Sequence, residues 1–224
     1  IIDIGSNDGN LLSNFKANHR VLGVTPENIG KIAIKKGINT ILRYFDKKTS
    51  NIILKKFGKA KLITATNVFA HIDNINTLMK NIMKILDKDG IFISESHYLL
   101  SLIQTNQYDT IYHEHMRYYS LMSLNYLFKK FKLKIFHAKK IPTHGGSIRV
   151  YVTKNKNIKE SKSLKKIFNL EKKYLNMKTF RKFAIGVVSS KINLYSLVKK
   201  LKLKNKIIFG VGAPSRAATL INYV

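Results

Sequence analysis

Over the first hundred residues, short apolar runs of strand length alternate with longer segments in which apolar positions recur every three or four residues. The runs at 1–4, 21–24, 40–44, 61–65 and 90–95 read as strands, and the segments at 10–16, 28–36, 47–57 and 75–86 as the helices between them. Near-continuous apolar strands that alternate with helices are the pattern of a parallel sheet covered on both faces, an α/β fold. Pro26 at the start of the second helix and Gly90 after the fourth fall at element boundaries. Past residue 95 the pattern changes. A polar and aromatic stretch at 97–119 leads into a helix at 121–131, followed by β-rich runs at 133–141 and 147–153. Pro142-Thr143-His144-Gly145-Gly146 joins those two runs and is short enough for an antiparallel pair at the sheet edge.

From 154 to 204 the chain is Lys-rich with helical spacing and few turn signals, so two connecting helices are expected. A strand at 206–211, the turn Gly210-Val211-Gly212-Ala213-Pro214 and a helix through Leu220 read as the first βα unit of a second nucleotide-binding-type domain. The expected organisation is therefore a core over 1–154, a helical connection over 155–204 and the start of a further domain over 205–224. Ile1 opens inside an apolar run, and about twenty residues of the last unit cannot close a sheet, so both ends are expected to be cut.

A chain of 224 residues with 45% hydrophobic content can bury a full core. The absence of cysteine excludes a disulfide framework, a Cys-ligated zinc or iron–sulfur site and a cysteine nucleophile. No run approaches the roughly 20 apolar residues of a membrane helix, and no signal-peptide pattern opens the chain. No membrane association and a cytoplasmic location are the expectations. The net charge of +29 raises nucleic-acid binding through phosphate neutralisation. Residue usage changes that picture, because 35 Lys, 29 Ile and 20 Asn share A/T-rich codons, while Arg, the bidentate phosphate ligand, occurs only 6 times. A solvated basic surface is the favoured account, and a basic RNA-binding or RNA-modifying protein is the alternative.

The first strand runs into Asp3-Ile4-Gly5-Ser6-Asn7-Asp8-Gly9 and a helix, a glycine-bearing turn at the edge where open α/β sheets bind nucleotides. Asn7 replaces the middle glycine of G-x-G-x-x-G, which favours a nucleoside cofactor without a pyrophosphate, S-adenosylmethionine being the obvious member. A plain structural turn is the alternative. At the end of the second strand, where such folds usually offer a carboxylate to ribose, stands Thr25, with Glu27 just after it at a helix N-terminus.

Five of the seven histidines, His71, His97, His113, His115 and His144, fall after strand ends or in connecting loops. The densest run is Asp109-Thr110-Ile111-Tyr112-His113-Glu114-His115-Met116-Arg117-Tyr118-Tyr119-Ser120. An extended backbone there would put His113 and His115 on one face and Tyr112, Glu114 and Met116 on the other. Arg117 stands where H-E-x-x-H would place its second His, and no metal site is expected. A neutral imidazole suits proton abstraction, with a nearby carboxylate or phenol orienting it or meeting a developing oxyanion. Solvated or packed loop residues are the alternative.

Taken with Asn67-Val68-Phe69-Ala70-His71-Ile72, His144-Gly145-Gly146-Ser147-Ile148-Arg149 and Gly212-Ala213-Pro214, the loop and the histidine run resemble the C-methyltransferases of nucleotide-activated deoxysugars. Members of that family carry a Cys-rich zinc domain, a Rossmann-like methyltransferase core and a second Rossmann-like domain; this chain resembles the core and the opening of the last. The resemblance implies S-adenosylmethionine as cofactor, held by Gly5, Asn7, Asp8, Gly9, Thr25, Glu27, Asn67 and Phe69. It implies a nucleoside-diphosphate 4-keto-deoxysugar as substrate, deprotonated at carbon 3 by His115 with Tyr112 and Glu114 assisting. Glu95, Tyr98, His113, His144, Arg149 and Arg216 would lie on the substrate side, Arg149 as a diphosphate partner and Arg216 where many members have Lys. A methyltransferase acting on oxygen or nitrogen of another small molecule is the alternative within enzymes.

Overall fold

Strands rich in Ile, Leu, Val and Ala bury both faces, and they assemble into one sheet. In a computed structural model describing residues 1–224, that sheet has seven strands. They are β1 (Ile2–Ile4), β2 (Leu22–Val24), β3 (Thr40–Ile41), β4 (Ala60–Thr66), β5 (Leu86–His97), β6 (Lys134–Ile141) and β7 (Ser147–Thr153), ordered β3-β2-β1-β4-β5-β7-β6. β1 to β5 run parallel, and β7 is antiparallel to both β5 and β6. Strand order reverses between β1 and β4, which opens a crevice at their carboxyl ends.

The helices are α1 (Asn10–Ser13), α2 (Gly30–Lys35), α3 (Lys47–Phe57), α4 (Ile75–Ile85), α5 (Leu99–Gln104), α6 (Leu121–Lys130), α7 (Lys162–Tyr174), α8 (Met177–Leu203) and α9 (Ser215–Tyr223). Asp46, Asn74, Ser120, Ser161 and Asn176 start α3, α4, α6, α7 and α8, each accepting from the backbone N–H three residues on. The core is centred on Phe69, Phe92, Tyr119 and Phe128, whose contacting ring centroids lie 5.9–6.2 Å apart. Glu171 of α7 is fully buried beside it. Its carboxylate accepts from the Leu121 and Met122 amides at 2.5 and 2.8 Å and so ties α7 to the N-terminus of α6. No helix is long and apolar enough to cross a membrane.

Four elements depart from the sequence pattern. The third strand shrinks to Thr40–Ile41, while β5 extends at both ends, to Leu86 and to His97. Within the polar and aromatic stretch, Leu99–Gln104 forms α5, buried through Leu100, Leu102 and Ile103. The expected strand at 206–211 does not form: it has no neighbouring strand, and Ile207, Phe209 and Val211 stand exposed. The helix expected after it does form, as α9, and packs on the 3₁₀ turn Tyr108–Thr110 through the Tyr108 and Tyr223 rings, 5.5 Å apart.

Candidate functional site

At the crevice, Gly5 has φ 77° and its N–H donates to the Val24 carbonyl at 2.8 Å. A Cβ there would lie 2.6 Å from Val68 Cγ2, so only glycine lets the chain turn between β1 and β4. Asn7 and Asn67, on the two sides of this turn, also take left-handed backbone conformations. Thr25 is buried at the end of β2 and its Oγ1 receives the Glu27 N–H, while the Glu27 side chain stands exposed. Asp8 pairs with Lys36 Nζ at 2.9 Å and accepts from the Asn10 N–H, and both contacts hold its carboxyl below the usual range. Two expected cofactor residues are packed against the protein. Gly9 meets α2, where a Cβ would come within 2.8 Å of Ala33 Cβ, and Phe69 is fully buried in the aromatic core.

Asp3, beside this turn, carries an unforeseen charge. It is 4% exposed; burial pushes its pKa up to about 6, and a hydrogen bond from Thr64 Oγ1 at 2.6 Å opposes that rise. A carboxylate within an otherwise apolar strand that ends at a glycine turn was the sequence signal for it.

A second cleft, of about 220 Å³, lies over the carboxyl ends of β4 and β5. Tyr112, His115, His144 and Arg216 line it as expected, and Asn67 joins it to the first crevice. Ala70, His71, His97 and Ser96 complete the wall; the two histidines stood out only as loop histidines, and Ser96 was missed. Ring centroids of His115 lie 5.1 Å from His71 and 5.5 Å from His97, which in turn is 5.9 Å from His144. No group of three or more His, Asp or Glu is placed to hold a metal ion.

The run carrying His115 is bent rather than extended, because the His115 N–H donates to the Tyr112 carbonyl and closes a turn. His113 and His115 therefore do not share a face: the His113 side chain is 88% exposed, 3.9 Å from Glu114, and neither lines the cleft. Tyr112 and His115 meet instead. Arg117 fastens the run to the neighbouring loop by donating to the Ile72 and Asp73 carbonyls. His115 Nδ1 lies 3.0 Å from the Thr110 carbonyl. A carbonyl only accepts, so Nδ1 carries the proton and Nε2 the lone pair, onto which the Tyr112 hydroxyl donates at 3.1 Å. Burial lowers the pKa of His115, the Thr110 carbonyl and the Glu114 charge oppose it, and the imidazole is neutral at pH 7. His97 is likewise lowered by burial and donates from Nε2 to the His144 carbonyl at 2.9 Å.

The remaining expected substrate groups are buried or already paired within the protein. Tyr98, the residue after β5, is fully buried in the core and does not line the cleft. Glu95 and Arg149 face each other across β5 and β7 and form a 2.7 Å ion pair. Arg216 meets Asp109 with two parallel hydrogen bonds of 2.9 Å, so Arg149, expected as a diphosphate partner, and Arg216, expected on the substrate side, are both already paired with carboxylates. Asp109 was quoted in the sequence run, but no local signal linked it to a residue so distant in the chain.

The family described as "Methyltransferase domain" matches residues 1–138, and that described as "C-methyltransferase C-terminal domain" matches 142–224. C-methyltransferase NovU of Streptomyces niveus is 31% identical over 226 residues, covering 99% of this chain and 54% of that protein. The chain thus spans about half the length of this curated relative. Among solved structures, a methyltransferase in complex with the Haloferax volcanii Trm112 activator aligns with TM-score 0.55 and 14% identity, over 69% of this chain and 82% of that one. An S-adenosylmethionine-dependent methyltransferase from Clostridium acetobutylicum gives 0.53 and 18%, over 68% and 82%. These likenesses agree with the strand order and the switch-point crevice, and the match over 1–138 shows that the chain belongs to the methyltransferase domain family.

Proposed function

We propose that this chain forms the catalytic core of an S-adenosylmethionine-dependent C-methyltransferase that acts at carbon 3 of a nucleoside-diphosphate 4-keto-deoxysugar. The observation that carries this reading is the His115 imidazole, neutral, with its tautomer fixed by Thr110 and its Nε2 lone pair aimed at the Tyr112 hydroxyl in a small polar cleft. The cleft has room for a sugar-sized fragment rather than a whole nucleotide, so the nucleoside end lies outside it. The names of NovU and of the Clostridium acetobutylicum relative support carbon as the methylated atom and S-adenosylmethionine as donor.

Gly5, Asn7, Asp8, Thr25, Glu27 and Asn67 would hold S-adenosylmethionine in the crevice, where the glycine turn and the two left-handed asparagines follow the carboxyl ends of β1 and β4. When bound there, S-adenosylmethionine supplies the electrophilic methyl group that carbon 3 takes. The chain's own groups manage the proton. The Tyr112 hydroxyl has a single hydrogen; a ketone oxygen entering the cleft competes for it and frees the Nε2 lone pair. Nε2 then takes the proton from carbon 3, the C–H electron pair moves toward the ketone oxygen, and Tyr112 donates to that developing oxyanion. The imidazolium formed keeps its Nδ1–H on Thr110, and the Glu114 charge stabilises it from the surface. His144 and Arg216 line the cleft on the side where the rest of the sugar nucleotide would leave it.

The test is solvent deuterium exchange at carbon 3 of a nucleoside-diphosphate 4-keto-6-deoxyhexose, without S-adenosylmethionine. Exchange that disappears in His115→Ala is the expected result. Methylation without exchange would identify an oxygen or nitrogen acceptor, since neither needs an enolate, and would overturn the proposal.

A further inference from the structure

Ser96 is the one cleft residue with a buried side-chain oxygen left without a hydrogen bond: it is 2% exposed, and its Oγ has no partner. A buried hydroxyl with nothing to bond to is disfavoured unless a ligand completes it. Ser94, two residues earlier and therefore on the same face of β5, is equally buried and equally unpartnered, yet it does not line the cleft. The two serines share strand, face, burial and orphaned oxygen, and differ in access to the site. Beside Ser96, His97 has its proton committed to the His144 carbonyl, which leaves Nδ1 as an acceptor. Tyr112 and His115 occupy each other on another wall.

We infer that Ser96 is a specificity-determining contact, donating to or accepting from a hydroxyl of the acceptor on the carbon that flanks the reacting one. This rests on the sugar reading above, in which Tyr112 takes the ketone oxygen and leaves the hydroxyl on the other flank, at carbon 2, without a partner. Ser96 Oγ supplies it, and the substrate class is narrowed to 4-keto sugars that keep this hydroxyl.

The test compares nucleoside-diphosphate 4-keto-6-deoxyhexose with its 2-deoxy counterpart, by carbon-3 exchange and by methyl transfer. The parent chain is expected to favour the 2-hydroxy sugar in kcat/KM, and Ser96→Ala to lose about tenfold of that preference, mostly through KM, one hydrogen bond's worth. Affinity for S-adenosylmethionine stays unchanged. Ser94→Ala keeps the preference, and Ser96→Thr, which retains Oγ, keeps most of it. A Ser96→Ala chain that discriminates as the parent does, or a Ser94→Ala chain that loses as much, overturns the assignment. A parent chain that exchanges neither sugar overturns the sugar reading itself, and is recognised before any variant is compared.

Discussion

Replacing Asp3 with Asn removes a buried charge and keeps its shape and its acceptor oxygen for Thr64. Asp3 is 4% exposed, and burial raises its pKa from 3.8 to about 6. Below pH 3.8 the carboxyl is protonated in both the folded and the unfolded chain and costs nothing. Between 3.8 and about 6 the unfolded chain releases its proton while the folded one holds it, so stability falls as pH rises. Above that window the full cost persists, about 3 kcal/mol. Roughly half of it is present at pH 5, so the stability of Asp3→Asn relative to the parent should grow by about 1.4 kcal/mol between pH 5 and 8. Urea unfolding of both proteins at each pH measures this, and taking the difference cancels every other titrating group; any fixed offset from the new amide cancels as well. A difference that stays flat, or that shrinks toward pH 8, refutes a desolvated carboxylate at this position.

Gly5→Val should close the turn beside Val68 and weaken S-adenosylmethionine binding at least about tenfold by calorimetry, since both the φ of 77° and the 2.6 Å approach forbid a side chain. His115→Ala should cut turnover by about 10²–10⁴-fold at unchanged cofactor affinity. In the parent, the rate should rise with pH through a midpoint below 6.5, because burial favours the neutral base, and a midpoint above that value would contradict it. Glu171→Ala leaves the Leu121 and Met122 amides without their acceptor and should lower stability by about 2–5 kcal/mol in urea. Arg216→Gln removes a cation that disfavours the charged imidazole, so the same pH–rate midpoint should move upward; an unmoved midpoint would show that α9 has no electrostatic hold on His115.

The sheet was legible because each parallel strand is a run apolar on both faces between helix-period segments, a pattern that few other folds produce. The antiparallel pair β6 and β7 was equally plain from its short joint. The strand expected at 206–211 failed for a reason local sequence does not contain, since a β run needs a partner to pair with, and the sheet ends at β6. α5 was hidden by its six-residue length and by the aromatic stretch around it. At the site, residue type was readable but direction was not. Glycine at 5 and glycine at 9 look alike in sequence, yet one faces Val68 in the loop after β4 and the other α2. His113 and His115 are two apart, and one turn hydrogen bond sends the first to solvent and the second to the cleft.

The two halves of the site also differ in how they are held. The crevice is made by β1, β2 and β4 with the turns that directly follow them, so its groups lie close in sequence to the strands that fix them. The base is held otherwise. Thr110, whose carbonyl fixes the His115 tautomer and also receives the Tyr118 hydroxyl, sits on the 3₁₀ turn Tyr108–Thr110. Asp109 in the middle of that turn is gripped by Arg216, 107 residues away on α9, and Thr219 of α9 reaches the Ile111 carbonyl. α9 itself has no buried residue and rests on the body through these bonds and the Tyr108–Tyr223 ring pair. Loosening α9 therefore disturbs the orientation of the base before it touches the crevice, so cofactor binding should outlast acceptor turnover under mild denaturant or on removal of the Arg216 contact.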